Sequence, residues 1–297
     1  KTMPCLTEVP VLPGGGTVHT LDAQGDLRVY EQCTEGGTFR WLCSYSRFSR
    51  PSCGMLAESI LPCLPPRYCT RSGGKVLFDR SSLLPQYHGA MVAGLGLHQG
   101  SMQRALLIGV GGGCLAMFLR RNHPEIALTC VDPNGTAIRL GQLYFGLEPS
   151  NRLRIIELTA ERYLRKTSPS ELFDAILVDT TEAMENRNGE SGIVAPHYTF
   201  RQRRAILQLF GRLSARGVLL INVLGDDSSL HHLQGILTSV SSNHGVYRLH
   251  TDEGNVVLAA HAPQRTDGNN SAQHFPPLIW WEACTSIGLS VSSCSRG

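Results

Sequence analysis

The chain has 297 residues, of which 42% are hydrophobic and 17% are charged, so it can bury a packed core and is not disordered as a whole. It contains no run of about 18 apolar residues, which excludes a conventional membrane-spanning helix. The formal net charge of +3 is too small to imply nucleic-acid binding by itself. The composition therefore predicts one large globular domain, or one domain with a small appendage.

Residues 1–74 are predicted to form an N-terminal arm and a small β-domain. Residues 1–20 are rich in proline and glycine, which predicts an extended arm. Segments 26–33 and 38–45 alternate in polarity and carry β-branched and aromatic residues, so they predict a β-hairpin. Residues 51–74 are rich in proline, cysteine and glycine, and we expect them to be irregular.

The ten cysteines show neither a Cys-x-x-Cys pair nor a zinc-ligand spacing, so no metal site is predicted. Six of them lie before Arg71: Cys5, Cys33, Cys43, Cys53, Cys63 and Cys69. We expect these six to be reduced thiols, either buried or without a role. Cys114 and Cys130 fall within apolar patterns and are expected to be buried.

The second part of the chain, residues 75–262, is predicted to be a Rossmann-like α/β domain. A strand at 75–79 and a helix at 86–97 lead into it, and short apolar runs then alternate with helical patterns. The predicted strands are Ala105–Val110, Ala127–Asp132, Leu153–Leu158, Phe173–Asp179, Gly217–Leu224, Val246–Thr251 and Asn255–His261. The predicted helices cover about 113–121, 135–145, 160–166, 199–214 and 229–242. The last two strands, joined by a tight turn, predict a terminal antiparallel hairpin on a mostly parallel sheet, and residues 263–297 are predicted to be a tail.

A glycine-rich turn is the strongest local signal. The run from Leu106 to Leu115 is a buried strand, then Gly109, Gly111, Gly112 and Gly113 around one valine, then a helix. Glycine lets the backbone turn tightly and approach a ligand, and the helix N-terminus offers free N–H groups. Cys114 stands where the dinucleotide fingerprint has glycine or alanine, which argues against NAD or FAD, and the absence of Gly-Lys-Ser/Thr excludes a P-loop.

Two carboxylates follow predicted strands. Asp132 ends the second strand of the α/β region, where it would either contact a ribose or cap the helix that begins near Asn134. Asp179 ends the fourth strand beside the glycine turn. A carboxylate there would lie in the crevice where such sheets bind ligands, and it could orient or deprotonate an amine nucleophile.

These features resemble the spermidine-synthase-like branch of the class I methyltransferase superfamily, and in particular the C-terminal domain of elongation factor 1A methyltransferases. The resemblance covers about residues 75–261 and rests on Leu83–Leu95, Leu107–Gly113, Val131–Pro133, Phe173–Asp179 and Gly217–Val223. It implies a mostly parallel seven-stranded sheet with a terminal antiparallel hairpin, preceded by a small N-terminal β-domain. It also implies S-adenosylmethionine, or its decarboxylated form, and transfer of a methyl or aminopropyl group to an amine. Gly109, Gly111 and Gly113 would line the methionine part, and Asp179 would face the acceptor amine.

The chain departs from this family at positions that carry charge. Cys130 replaces the acid that usually holds the ribose, and Thr159 replaces the acid that usually contacts the adenine amino group. The Asp-Ser-Ser-Asp signature of spermidine synthases is Asp179-Thr180-Thr181-Glu182 here, and their Tyr-His-Glu is Tyr87-His88-Gly89. A polyamine site needs several carboxylates, so the losses favour a methyltransferase. One lost charge-assisted hydrogen bond costs about 1.5–3 kcal/mol, so the two losses also raise the hypothesis of an inactive domain.

The predicted function is therefore an S-adenosylmethionine-dependent methyltransferase that acts on a protein amine, with Asp179 as the catalytic residue. The alternatives are a catalytically inactive scaffold or assembly subunit, and an aminopropyltransferase. The predicted cofactor-binding residues are Gly109, Gly111, Gly112, Gly113, Cys130, Asp132, Thr159, Ala160, Asp179 and Thr180. By analogy with the family we expect a homodimer or larger assembly in the cytoplasm, or in mitochondria if a transit peptide has been removed.

Overall fold

The computed structural model describes residue 12 and residues 14–45, 55–64, 77–80, 83–98, 100–185, 191–241, 245–262 and 289–294. These residues form an N-terminal antiparallel sheet, a larger mixed sheet with helices on both faces, and a separate two-stranded hairpin. The α/β class predicted from the sequence is confirmed.

The N-terminal sheet has five strands that pair in chain order. They are β1 (Thr17–Gln24), β2 (Leu27–Thr34), β3 (Gly37–Tyr45), β4 (Met55–Leu64) and β5 (Leu77–Phe78). The predicted hairpin is confirmed as β2 and β3, whose pairing closes at Thr34 and Gly37.

Two predictions for this region are wrong. β1 takes up part of the arm predicted at 1–20, and β4 lies in the segment 51–74 that was expected to be irregular. No side chain of β1 is fully buried, so its sequence shows no clear alternation. β4 contains Pro62, which pairs opposite Phe39, although proline in a sequence pattern argues against a strand.

The main sheet has eight strands in the order β15-β13-β14-β12-β9-β6-β7-β8. Their bounds are β6 (Arg104–Ile108), β7 (Ala127–Asp132), β8 (Leu153–Glu157), β9 (Phe173–Val178), β12 (Leu213–Val223), β13 (Val246–His250), β14 (Val256–His261) and β15 (Ser290–Cys294). The strands from β12 to β8 are parallel, and β13 and β14 form the predicted terminal antiparallel hairpin. β15 adds an eighth strand to the seven expected. It lies in the segment predicted to be a tail, and it was not predicted as a strand because this short serine-rich segment has no apolar run.

The described helices are α1 (Gln86–Gly94), α2 (Cys114–Asn122), α3 (Gly135–Tyr144), α4 (Ala160–Lys166), α5 (Arg203–Phe210) and α6 (Asp227–Val240). The prediction of one long helix at 199–214 is wrong, since α5 follows a 3-10 turn at Tyr198–Arg201 and β12 already begins at Leu213. The backbone N of Phe173 donates to Arg212 O, which draws this segment into the sheet. One face of the sheet packs on α1 and α2, and the other packs on α4, α5 and α6.

A hairpin that the sequence does not predict is inserted after β9. It consists of β10 (Glu182–Glu185) and β11 (Ser191–Val194), and Ala195 bridges to Leu224 beyond it. Its strands lack an alternating apolar pattern, which explains why they escape sequence analysis.

The cysteine prediction is partly wrong. Cys33 is disulfide-bonded, whereas Cys43, Cys114 and Cys130 are buried thiols that form no disulfide. Spacing alone does not reveal a disulfide, because pairing depends on strands that meet only in the fold. Within the described ranges, every helix is too short or too polar to cross a bilayer.

Candidate active site

The glycine turn joins β6 to α2 with a backbone that other residues rarely adopt. Gly109, Gly111 and Gly113 have φ angles of 89°, 53° and 85°. A Cβ atom on Gly109 would lie 1.8 Å from Asp179 O, and one on Gly113 would lie 2.6 Å from a methyl carbon of Leu147. Close packing and conformation therefore both require glycine in this turn.

Asp132 holds the turn in shape from the end of β7. Its Oδ2 accepts hydrogen bonds from the backbone N of Val110 at 2.8 Å and of Gly111 at 3.4 Å. Its Oδ1 accepts from Asn134 N at 2.8 Å, and its side chain is buried. The helix-capping interpretation of Asp132 is wrong, because Asn134 itself caps α3 by accepting from Ala137 N.

Asp179 follows β9 directly and lies beside the glycine turn. Its backbone N donates to Ile108 O at 2.8 Å, which joins the ends of β9 and β6. Its side chain retains 15% exposure. His88 Nε2 lies 3.1 Å from its Oδ2, and Asn222 Nδ2 donates to its Oδ1 at 3.2 Å. Both oxygens of this carboxylate are thus held by fixed neighbours.

The helix α1 delivers His88 to this carboxylate. Gln86, at the start of α1, exchanges two hydrogen bonds with the turn between β13 and β14: its N donates to Glu253 Oε2, and its Oε1 accepts from Asp252 N. At the other end, Gly94 lets the helix lie flush on the sheet, because a Cβ there would meet a methyl of Leu220 at 2.5 Å. The helix is therefore fixed at both ends.

Cys130 presents no group to solvent. Its side chain is fully buried among the apolar residues on the α2 face of the sheet. Burial, reinforced by the neighbouring Asp132 charge, raises the pKa of the Cys130 thiol well above its usual value. A neutral thiol thus stands where the resemblance noted from the sequence implies a carboxylate.

The remaining predicted residues are engaged in local structure. Thr159 caps α4 by accepting from Arg162 N at 3.3 Å, and Ala160 is buried as the first residue of that helix. Thr180 Oγ1 accepts from His197 N at 3.1 Å, which ties the loop after β11 back to the end of β9. None of these contacts tests a role in cofactor binding, which stays a prediction.

The structure brings Gly109, Asp132 and Asp179 together at one edge of the sheet. β6 lies between β9 and β7, and their carboxyl ends meet there, which makes this edge the switch point where α/β sheets bind ligands. Thr159 and Ala160 follow β8, one strand further out than β7.

Three buried polar residues belong to the site but are not among the predicted site residues: His88, Asn222 and Asn255. Asn255 Nδ2 donates to Asn222 Oδ1 at 2.9 Å, which extends the chain of hydrogen bonds from Asp179. A single amide within the apolar run of β12 is a sequence signal that could have indicated Asn222, since buried polar groups need partners.

Comparison with solved structures identifies the fold. A probable spermidine synthase from Corynebacterium glutamicum aligns with 93% of this chain and 89% of its own at a TM-score of 0.62 and 16% identity. Human methyltransferase-like protein 13, solved in complex with SAH, aligns with 68% of this chain and 89% of its own at a TM-score of 0.53 and 19% identity. The chain has the class I methyltransferase fold. The resemblance to spermidine-synthase-like class I methyltransferases is thereby confirmed at the level of the fold.

The sequence relatives of this chain fall into two groups. The eEF1A lysine and N-terminal methyltransferase of Danio rerio is 26% identical over 170 residues, which is 51% of this chain and 23% of that protein. The polyamine aminopropyltransferase of Vibrio vulnificus is 26% identical over 157 residues, which is 52% of this chain and 49% of that protein. The chain thus spans less than a quarter of the eEF1A methyltransferase it matches. No protein-family model matches it.

Proposed function

We propose that the protein is an S-adenosylmethionine-dependent methyltransferase that acts on a protein amine, with Asp179 orienting the acceptor. The observation that carries this proposal is the Asp179 carboxylate, held at both oxygens beside the glycine turn. The eEF1A lysine and N-terminal methyltransferases support a protein amine as the acceptor.

The residues around the glycine turn suit the methionine part of the cofactor better than its nucleoside part. The turn at Gly109–Gly113 would hold its methionine part, because it has positive φ angles and Asp132 fixes its backbone. S-adenosylmethionine supplies a methyl group on a sulfonium, which needs little from the protein except a well-placed acceptor. Cys130 and Thr159 provide no charge for the nucleoside part, so we expect weaker binding than in relatives that carry both acids.

Asp179 is suited to receive an amine. Each carboxylate oxygen can accept more than one hydrogen bond, so the bonds from His88 and Asn222 leave acceptor capacity for an amine N–H. The carboxylate would orient a lysine or N-terminal amine toward the methyl group and attract its ammonium form from solution.

The charges nearby favour a single amine over a polyamine. Glu182, which stands in place of the last acid of the spermidine synthase signature, accepts from Tyr198 N at 2.9 Å and lies 3.7 Å from Arg201 Nη2. Its charge is already compensated, so it would hold a second cationic nitrogen poorly. For this reason we place the aminopropyltransferase second.

The test measures binding first and transfer second. Calorimetric titration with S-adenosylmethionine should give a Kd in the micromolar range, and decarboxylated S-adenosylmethionine should bind more weakly. Asp179→Asn, assayed at saturating S-adenosylmethionine, should lose transfer of labelled methyl groups to the lysines or N-terminus of elongation factor 1A. Asp26→Asn, in the exposed turn before β2, is the matched control and should behave as the unaltered protein.

The outcomes separate the three candidate functions. Tighter binding of the decarboxylated compound, with transfer to a polyamine, would favour the aminopropyltransferase. A folded protein that binds neither compound at millimolar concentration would favour the inactive scaffold, for which the buried neutral thiol of Cys130 is the supporting observation.

A further inference from the structure

We infer that the turn between β13 and β14, residues 251–255, is a positioning device for the Asp179 carboxylate, acting through Asn255 and Glu253. The inference rests on the proposed function in one respect, that Asp179 is the residue that meets the acceptor. Two separate series of contacts, here called routes, lead from this turn to Asp179, one to each carboxylate oxygen. The first passes through Asn255 and Asn222. The second passes through Glu253, Gln86 and His88.

The first route fixes the orientation of an amide. Asn255 Nδ2 donates to Asn222 Oδ1 at 2.9 Å, and Asn222 Nδ2 donates to Asp179 Oδ1 at 3.2 Å. Both amides are buried, so neither can exchange its partner for water. Because Asn255 occupies the oxygen of Asn222, the amide nitrogen of Asn222 has to face Asp179. Without that donor, Asn222 could rotate and present a lone pair to the carboxylate.

The second route fixes an imidazole. Glu253 accepts from Gln86 N at 2.9 Å, and Asp252 N donates to Gln86 Oε1 at 2.8 Å, so the turn holds the first residue of α1 in two places. His88 follows two residues later and reaches Asp179 Oδ2 through Nε2. The position of His88 is thus set by the same turn that sets Asn222.

The burial of His88 defines its tautomer. Its side chain is 4% exposed, and its Nδ1 is buried without a hydrogen-bond partner in the structure. Buried N–H groups without an acceptor are rarer in proteins than buried acceptors without a donor. The proton of a neutral His88 therefore resides on Nε2, where it is donated to Asp179. Asp179 then receives one donor at each oxygen.

The turn itself is rigid. Thr251 donates to Asn255 O through both its backbone N, at 3.1 Å, and its Oγ1, at 3.0 Å, and Gly254 adopts a φ of 88°. Among the described residues, the Asp179 carboxylate is hydrogen-bonded by the side chains of His88 and Asn222, and the backbone N of Asp179 donates to Ile108 O in β6.

The deciding variant is Asn255→Asp, which keeps the size of the side chain and removes its donor. An ionised Asp at 255 can only accept, so it would draw Asn222 Nδ2 away and turn the Asn222 oxygen toward Asp179. We expect the side-chain ¹⁵N–¹H signals of Asn222 to move, because its amide N–H group would then donate to the new carboxylate at position 255 and no longer to Asp179. NMR spectra of the side-chain amides in the full chain, with Asn222→Asp to assign the signals, measure this directly.

Two further variants keep the test decisive. Asn122→Asp makes the same change on the exposed end of α2 and should leave the Asn222 amide signals unchanged. Glu253→Ala acts on the second route, and it should change the ¹⁵N shifts of His88 away from those of an Nε2-protonated ring that donates to a carboxylate. If Asn255→Asp does not fold, this second measurement stands in its place.

The two proposals fail in different ways. Asn222 side-chain amide signals that are the same in folded Asn255→Asp and in the unaltered protein would overturn the positioning role, even if methyl transfer is found. Absence of methyl transfer in the unaltered protein, with those signals moved in Asn255→Asp, would overturn the proposed function and leave the positioning role intact. Where transfer is measurable, Asn255→Asp should lower kcat about tenfold with little change in the KM for S-adenosylmethionine.

Discussion

Asp132 Oδ2 accepts a hydrogen bond of 2.8 Å from the backbone N of Val110, so the end of β7 governs the shape of the turn after β6. The contact explains why an acid is needed at this position even though its side chain is buried. The carboxylate satisfies backbone N–H groups in the turn that would otherwise lack a partner.

The first prediction concerns this carboxylate. Asp132→Asn should destabilise the protein by about 1.5–3 kcal/mol, because an amide nitrogen would face backbone donors where a charged acceptor stood. It should also weaken cofactor binding, since the turn loses its fixed shape. Urea unfolding and calorimetric titration check both effects. Unchanged stability would mean that the turn keeps its shape without Asp132.

A second prediction concerns Gly109. Gly109→Ala should cost about 2–5 kcal/mol, since the new Cβ would lie 1.8 Å from Asp179 O and the residue must keep a φ of 89°. Gly25→Ala is the matched control: it also has a positive φ, but a Cβ there meets nothing within 4 Å. It should cost about 1 kcal/mol. Equal losses of thermal stability in the two variants would contradict the close approach of β6 and β9.

A third prediction addresses the missing acid. Cys130→Glu should lower stability by about 3 kcal/mol or more without cofactor, because it buries a charge at a fully enclosed position near Asp132. Cys130→Ala, which only leaves a small void, should cost about 1 kcal/mol. Differential scanning calorimetry compares them. If Cys130→Glu were as stable as the alanine variant, the position would be open to solvent and available to a ribose.

A fourth prediction concerns acid stability through Asp174, on β9. Burial by itself raises the pKa of this carboxyl, but hydrogen bonds from the backbone of Gln103, the hydroxyl of Ser214 and the backbone of Arg104 outweigh it and lower the pKa below its usual value. A lowered folded-state pKa means that the stabilisation is complete above the unfolded pKa of about 4 and is lost as the pH falls through the folded value.

Asp174→Asn should therefore reduce the free energy of unfolding by about 1–2 kcal/mol at pH 7. The difference from the unaltered protein should shrink below about pH 4, where the unaltered carboxyl becomes protonated. Urea unfolding at several pH values measures this. A difference that stays constant down to pH 2.5 would show that charge on Asp174 does not contribute.

The parallel core could be predicted from the sequence because its strands are continuous apolar runs. β6, β9 and most of β12 are buried on both faces, and such strands stand out from any surrounding helix or loop. β10, β11 and β15 could not, since none of these short segments has a continuous apolar run, and they are recognised as strands by their backbone pairing. Whether a polar segment pairs depends on what lies beside it in the fold.

The candidate site also contains residues that could be predicted from the sequence and residues that could not. The glycine turn and Asp179 could be predicted because each directly follows a buried strand, and the carboxyl ends of parallel strands meet at one edge. His88 could not be assigned, because 91 residues separate it from Asp179 and no local pattern links them. The burial of Cys130 could be predicted from the apolar residues around it in the sequence. The hydrogen bonds between Asp132 and the glycine turn could not, because they join residues that meet only in the folded chain.

The N-terminal sheet has a consequence for any attempt to shorten the protein. Leu27, Val29 and Leu42 of that sheet pack on Cys114 and Leu140, and Arg40 donates to Tyr144 O at the end of α3. A fragment that begins near residue 75 would expose this apolar patch to water at the start of α2, and exposed apolar patches promote aggregation. Expression trials, chimeras and crystallisation attempts should therefore retain the leading strands together with the α/β domain.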